Sequence, residues 1–132
     1  MKKWKSYKPD VADQKFDAII IGSGIGGLCT AALLSLKGKR VLVLEKHFKI
    51  GGWTHTFRRD NYEWDVGIHY IGEVHKPWSS IRRLFDLVSD RRLQWSPMDK
   101  NYDRIVFPDR SYNFVAPRQQ FVEDMISYFP KE

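Results

Sequence analysis

Residues Phe16 to Lys46, FDAIIIGSGIGGLCTAALLSLKGKRVLVLEK, constrain the fold more than any other stretch of this 132-residue chain. Two short apolar runs flank a glycine cluster and a segment of small residues. Phe16 to Ile21 reads as a buried strand, continuous and β-branched, as a central parallel strand is. Gly24 to Leu36 reads as a helix. Its Leu28, Ala31, Ala32 and Leu36 form one small apolar face, and Gly38 stops it. Arg40 to Leu44 reads as a second strand, apolar on both faces. Strand, helix and parallel strand make a right-handed βαβ unit, so the expected fold class is α/β.

The glycines give this unit a chemistry. Gly22, Gly24 and Gly27 form G-x-G-x-x-G. Gly22 allows the tight turn out of the strand. Gly24 lacks a Cβ, so a pyrophosphate can approach the backbone N–H groups at the helix start. Gly27 lets helix and sheet pack closely. Glycine-rich turns are common, and a βαβ turn without a ligand is the plain alternative. The context favours a nucleotide: the motif follows a strand, opens a helix, and precedes a second strand ending at Glu45, 18 residues after Gly27. A carboxylate there accepts hydrogen bonds from ribose hydroxyls, and it disfavours a 2′-phosphate, hence NADP. The cofactor-binding candidates in this part are Gly22, Ser23, Gly24, Ile25, Gly26, Gly27, Glu45 and Lys46.

After Gly51-Gly52 the pattern changes. Tyr62 to Gly72 reads as extended. Ser79 to Val88 reads as a helix with Ile81, Leu84, Phe85 and Val88 on one face. Tyr102 to Phe107 and Ser111 to Val115 alternate around the turn PDRS, an antiparallel hairpin. Arg118 to Phe129 reads as a closing amphipathic helix with Phe121, Met125 and Phe129. There is no repeat and no low-complexity segment.

The net charge of +6 favours anionic partners. The basic residues are dispersed, and the pairs Arg58-Arg59, Arg82-Arg83 and Arg91-Arg92 read as solvated surface. A nucleic-acid partner is not expected, because charge and aromatics alone are only an electrostatic footprint. His47, His55, His69 and His75 lack the spacing of a zinc site, and no G-x-S-x-G elbow accompanies a triad. The single cysteine, Cys29, precludes an internal disulfide and fits a reducing compartment. It reads as a small core filler. The longest apolar runs, Ala18 to Ile21 among them, are four residues long, strand-sized, and span no bilayer. The basic start MKKWKSYKPD lacks an apolar continuation, so export is rejected and a cytoplasmic location is expected. Trp4 and Tyr7 give this tail the means for a peripheral membrane contact, although a solvated tail is favoured over so short an anchor.

The segment LEKHFKIGGWTHTF places Gly51-Gly52 shortly after the ribose acid. This arrangement resembles the flavoprotein family of amine oxidases, phytoene desaturases, carotenoid isomerases and retinol saturases. The resemblance implies FAD rather than NAD, with Gly51-Gly52 near its phosphates. Amine oxidases usually carry Arg after the Gly-Gly; this chain has Trp53, which argues against that branch. WDVGIHYIG, Trp64 to Gly72, resembles the segment that passes the flavin ring. With His55 to Phe57 it looks most like the retinol saturase branch, since carotenoid isomerases and desaturases tend to carry a serine-rich stretch at Ile68-His69-Tyr70. Carried over by position, Gly67, Ile68 and His69 are implied to lie near the isoalloxazine. His69 is then the candidate catalytic residue, a proton donor beside the flavin, or else a hydrogen-bonded structural histidine. The implied substrate is an apolar conjugated polyene, a retinoid or carotenoid.

The resemblance divides the chain into a basic tail over 1–15, an FAD-binding βαβ unit over 16–60, and a flavin-contacting strand with the start of a substrate domain over 61–132. One βαβ unit leaves a sheet edge and a helix face uncovered. The expectation is an N-terminal piece that needs the remainder of a polypeptide to complete its fold and is inactive by itself. Three functions stay open. They are a polyene oxidoreductase using FAD, a carotenoid isomerase without net redox change, and a non-enzymatic nucleotide-binding or membrane-surface protein.

Overall fold

The computed structural model describes residues 8–11 and 13–131. The expectation about Trp4 and Tyr7 in the tail lies outside the described residues. The chain forms two compact units, Met1–Leu93 and Gln94–Glu132. The piece boundary read from sequence at 60/61 falls in the tight turn of a hairpin within the first unit.

The first unit is built on β1 (Ala18–Ile21), α1 (Ile25–Leu36) and β2 (Val41–Leu44). β1 and β2 pair in parallel, Ala18 opposite Val41 through Ile21 opposite Leu44, and the Gly22 amide extends the ladder by donating to Leu44 O at 2.7 Å. Helix α1 ends as expected. Gly38 takes φ +74°, its amide donates to Ser35 O, and the Lys39 amide reaches back to Leu34 O. These two bonds satisfy carbonyls that the last turn would otherwise leave unpaired, and the positive φ is what glycine supplies without a Cβ clash.

The expectation that β1 is buried on both faces is corrected. Ala18 and Ile20 are partly covered, but Ile19 is 59% and Ile21 89% exposed. Periodicity reports apolarity, not cover: α1 packs on one side of a two-stranded sheet, and the outward side chains gain only a part of the roughly 1.5–3 kcal/mol that full burial of an isoleucine yields, least at Ile21. Leu36, expected on the apolar face of α1, is also exposed. The described core is small, with Cys29, Val74 and Phe85 buried. Cys29 is thus the core filler expected, and α1 packs against β2 and α2 (Ser80–Val88). Ser79 caps α2, its side chain accepting from the Arg82 amide at 3.2 Å.

Between β2 and α2 runs the antiparallel hairpin β3 (Thr56–Arg59) and β4 (Tyr62–Asp65). The extended reading of Tyr62 to Gly72 holds only for Tyr62–Asp65; residues 66–72 form no strand. Two further ladder-like bonds, Val66 N to His55 O and Ile68 N to Trp53 O, tie the start of that stretch to the segment before β3. The β3 partner was not read from sequence, because TFRR has no alternation that marks a strand.

The second unit contains β5 (Asn101–Val106), β6 (Ser111–Val115) and α3 (Arg118–Tyr128). β5 and β6 pair antiparallel around the expected turn. α3 packs on β6, with Phe114 against Phe121 at 5.4 Å and Tyr112 stacked on Phe129 at 5.6 Å between ring centroids.

Candidate functional site

The site forms where β1 and β2 end side by side. Parallel pairing sets Ile21 opposite Leu44, so the residues that follow each strand, the glycine turn and Glu45, meet at one sheet end. Gly22 leaves β1 at φ +95°. A Cβ at Gly27 would stand 2.4 Å from Gly22 O and 3.3 Å from Ile20 Cγ2, so only glycine lets α1 start this close to the strand. At Gly24 and Gly26 an added Cβ meets nothing within 4 Å. The helix N-cap Gly24 is extended, with φ −62° and ψ 167°, and no side chain caps it. The first amides of α1 therefore face open space, with the partial positive charge of a helix start. This is the shape and polarity that a pyrophosphate requires.

Glu45 lies beside this turn and is held by its own chain. Its Oε2 accepts from the Ser23 amide at 2.7 Å and from the Ser23 hydroxyl at 2.5 Å; its Oε1 accepts from the His47 amide at 2.7 Å. The Ser23 hydroxyl, followed by the His47 and Ser23 amides, lowers the carboxyl from 4.5 to about 2, because hydrogen bonds to the charged form favour it. Glu45 is an anion throughout the physiological range. Lys46 follows it, exposed.

Gly51 and Gly52 come to the same place. The Gly51 amide donates to both Ser23 O and Ser23 Oγ at 3.1 Å, and Gly24 and Gly51 form a parallel bridge. A Cβ at Gly52 would lie 3.0 Å from Gly24 Cα. Both glycines have positive φ, +117° and +56°. The Gly-Gly pair thus docks its backbone on the glycine turn and opens a short 3-10 turn, Gly52–Thr54. Thr54 Oγ1 donates to Gly51 O at 2.6 Å, and His55 Nδ1 contacts Gly52 O.

Gly67 and Ile68 sit against the other side of this turn. The Ile68 amide donates to Trp53 O at 3.2 Å. The Trp53 indole covers Gly67 so closely that a Cβ there would be 2.4 Å from its Cε3. His69 lies beyond, its side chain 64% exposed and its Nδ1 3.8 Å from Asp65 Oδ2. The structure therefore gathers Gly22 to Gly27, Glu45, Gly51 and Gly52 into one cluster and attaches Gly67 and Ile68 to it through Trp53. His69 stands at its margin, on the surface. The tie that Ser23 makes between Glu45 and Gly51, and the Trp53–Gly67 contact, were not read from sequence. A hydroxyl between two glycines, upstream of a strand-end acid, was the available signal for the first. A glycine downstream of a tryptophan carries no such signal for the second.

Among the described residues no group of three or more His, Cys, Asp or Glu is placed to hold a metal ion, and no helix is long and apolar enough to cross a membrane. Of the basic pairs, Arg58 bonds Glu63 and Arg82 bonds Asp86, both at 2.8–3.0 Å.

A parallel βαβ unit with an uncapped glycine turn and a strand-end carboxylate defines a dinucleotide-binding protein of the Rossmann type. The chain belongs to the NAD(P)-binding Rossmann-like domain family, whose model matches residues 20–87, just over half of its length. It is 42% identical over 125 residues to the all-trans-retinol 13,14-reductase of Danio rerio, covering 90% of this chain and 20% of that protein. It is 38% identical over 122 residues to prolycopene isomerase 2, chloroplastic, of an Oncidium hybrid cultivar, again with 90% and 20% coverage. Among solved structures it is similar to the cyclohexylamine oxidase from Brevibacterium oxydans IH-35A, with a TM-score of 0.55, 29% identity, and coverage of 89% of this chain and 26% of that one. The chain thus spans about a fifth of the length of the curated relatives it matches. These relatives agree with the resemblance read from Gly51-Gly52 and the GIHYIG stretch.

Proposed function

We propose that the chain is the part of a flavin-dependent oxidoreductase that binds the ADP portion of FAD, in an enzyme acting on conjugated polyenes. The observation that carries this reading is the convergence of Gly22–Gly27, Glu45 and Gly51-Gly52 at one end of the β1–β2 sheet. In it, the amides at the start of α1 hold the pyrophosphate and Glu45 accepts from the ribose. The Gly-Gly backbone flanks the phosphates. The open space above Gly24 fits this group. FAD, when bound, supplies the hydride chemistry that saturating one double bond needs. Gly67 and Ile68, reached through Trp53, lie toward the flavin end, and His69 is the proposed proton donor there. Because His69 is exposed, this role needs a substrate or further polypeptide to cover it. The exposed apolar residues Ile19, Ile21 and Leu36 are, in this reading, the surface that such elements cover. The similarity to a retinol reductase and a prolycopene isomerase supports a polyene substrate.

The isomerase similarity favours a second reading, in which reduced cofactor shifts double bonds without net redox change. Net consumption of reductant per product separates the two. The test of the site itself is titration of the protein with FAD, ADP, NAD and NADP by calorimetry. Competitive binding of FAD and ADP, weakened about tenfold or more by Glu45→Ala through loss of a charge-assisted acceptor, supports the reading. Binding of NADP in preference to FAD, or FAD affinity indifferent to Glu45→Ala, sinks it.

A further inference from the structure

Ser23 is the one described residue with a polar side chain that is almost wholly enclosed, 1% exposed. Its surroundings explain why. The hydroxyl donates to Glu45 Oε2 and accepts from the Gly51 amide at 3.1 Å. Its own amide donates to the same Oε2 at 2.7 Å, and its carbonyl accepts from Gly51. Both backbone groups and the hydroxyl are thus committed to two segments that lie 22 and 28 residues downstream. A hydroxyl that both donates and accepts is required at this point: the carboxylate can only accept and the amide can only donate. Alanine or glycine would leave the Gly51 contact to the carbonyl alone and remove one of three hydrogen bonds from the carboxylate.

We propose that Ser23 is a positioning residue for the nucleotide. Its hydroxyl orients the Glu45 carboxylate and clasps Gly51-Gly52 to the glycine turn, so that the ribose acceptor and the phosphate-flanking backbone stand ready before the ligand arrives. This inference rests on the reading of the site as an ADP cradle. A carboxylate offers about four lone-pair directions, and Ser23 with the His47 amide takes three. The remaining direction, approached otherwise only by the Lys46 amide as the weakest of the contacts, is the one a ribose hydroxyl would take, with the orientation already set. Preorganisation of this kind raises affinity by removing ordering that binding would otherwise have to impose. Glu45 also gains a charge that persists at low pH, since the Ser23 hydroxyl is the largest cause of its lowered carboxyl.

The test uses the 132-residue protein with Ser23→Ala and the nearly isosteric Ser23→Cys, whose thiol is a weak donor. ADP affinity is measured by calorimetry, the Glu45 carboxyl by carbon-13 NMR titration, and the fold by circular dichroism. The expected result is ADP binding weakened about tenfold by Ser23→Ala and less by Ser23→Cys, with the Glu45 midpoint moving up from about 2 towards 4.5 in both. Ser23→Thr, which retains the hydroxyl, restores the midpoint. If Ser23→Ala does not fold, Ser23→Cys carries the comparison. A folded variant lacking the hydroxyl that binds ADP as tightly as the parent, or more tightly, overturns the inference while leaving the ADP site intact. Tighter binding would mean that the clasp competes with the ribose. A parent protein that binds no ADP overturns both the inference and the reading beneath it.

Discussion

Alanine at two adjacent glycines should have unequal effects on stability. Gly26 and Gly27 both lie in the first turn of α1. At either position alanine gains helix propensity, roughly 0.5–1 kcal/mol in a helix interior and less in a first turn. At Gly26 the new methyl meets nothing within 4 Å. At Gly27 it would lie 2.4 Å from Gly22 O, against ordinary C···O contacts of about 3.3–3.6 Å. The neighbour is backbone, so no rotamer change relieves the clash; the start of α1 or the end of β1 must move by roughly 1 Å. Overpacking of this kind costs about 1–3 kcal/mol. Comparing the two variants cancels most of the propensity gain. Gly26→Ala should equal or exceed the parent in urea denaturation, and Gly27→Ala should be less stable than Gly26→Ala by about 1–3 kcal/mol, a factor of roughly 5 to 150 in the folded-to-unfolded ratio. Equal midpoints at unchanged m-value would refute the close helix–strand approach and remove the packing role of the third glycine.

Gly24→Val should leave the circular dichroism spectrum unchanged, because its Cβ is unobstructed, yet abolish FAD and ADP binding by filling the space above the turn; tight binding by the folded variant would contradict the cradle. The Glu45 carboxyl is lowered from 4.5 to about 2, so its contribution to stability is present above pH 4.5 and is lost as pH falls towards 2. Denaturation midpoints at pH 5 and pH 3 should therefore converge more closely in Glu45→Gln than in the parent, and identical pH slopes would count against the Ser23 contact. His69→Ala, at an exposed side chain, should change stability by about 0.5 kcal/mol or less. In the complete enzyme it should lower single-turnover reduction roughly 10²–10⁴-fold if His69 donates the proton. Native turnover and a native flavin spectrum together would eliminate both the donor role and the contact with the ring.

What the chain determines by itself is local. The parallel βαβ unit was legible in two apolar runs and a helix pattern between them, and the glycine turn in three residues whose backbone must turn tightly or approach closely. Gly38 as a helix stop, the hairpin around PDRS and the position of Glu45 at a strand end were equally legible. Each of these elements depends on neighbours within a few residues, where φ preference and side-chain period decide the outcome, and the parallel pairing was read from the connection rule for such a unit rather than from local preference. The tertiary structure decided the rest. Ser23 reads only as one member of the glycine turn, a cofactor-binding candidate, until β2 returns beside β1 and sets Glu45 against it, 22 residues away. Trp53 has no evident role until Gly67 folds beneath its ring. Ile21 looks like core, but apolarity is a property of the residue and cover is a property of what packs on it; with α1 on one side of two strands, Ile21 remains 89% exposed. His69 too is exposed, with a 64% exposed side chain. Contacts between distant segments depend on where the chain comes back, and that is settled by packing of whole elements rather than by any residue's own preference.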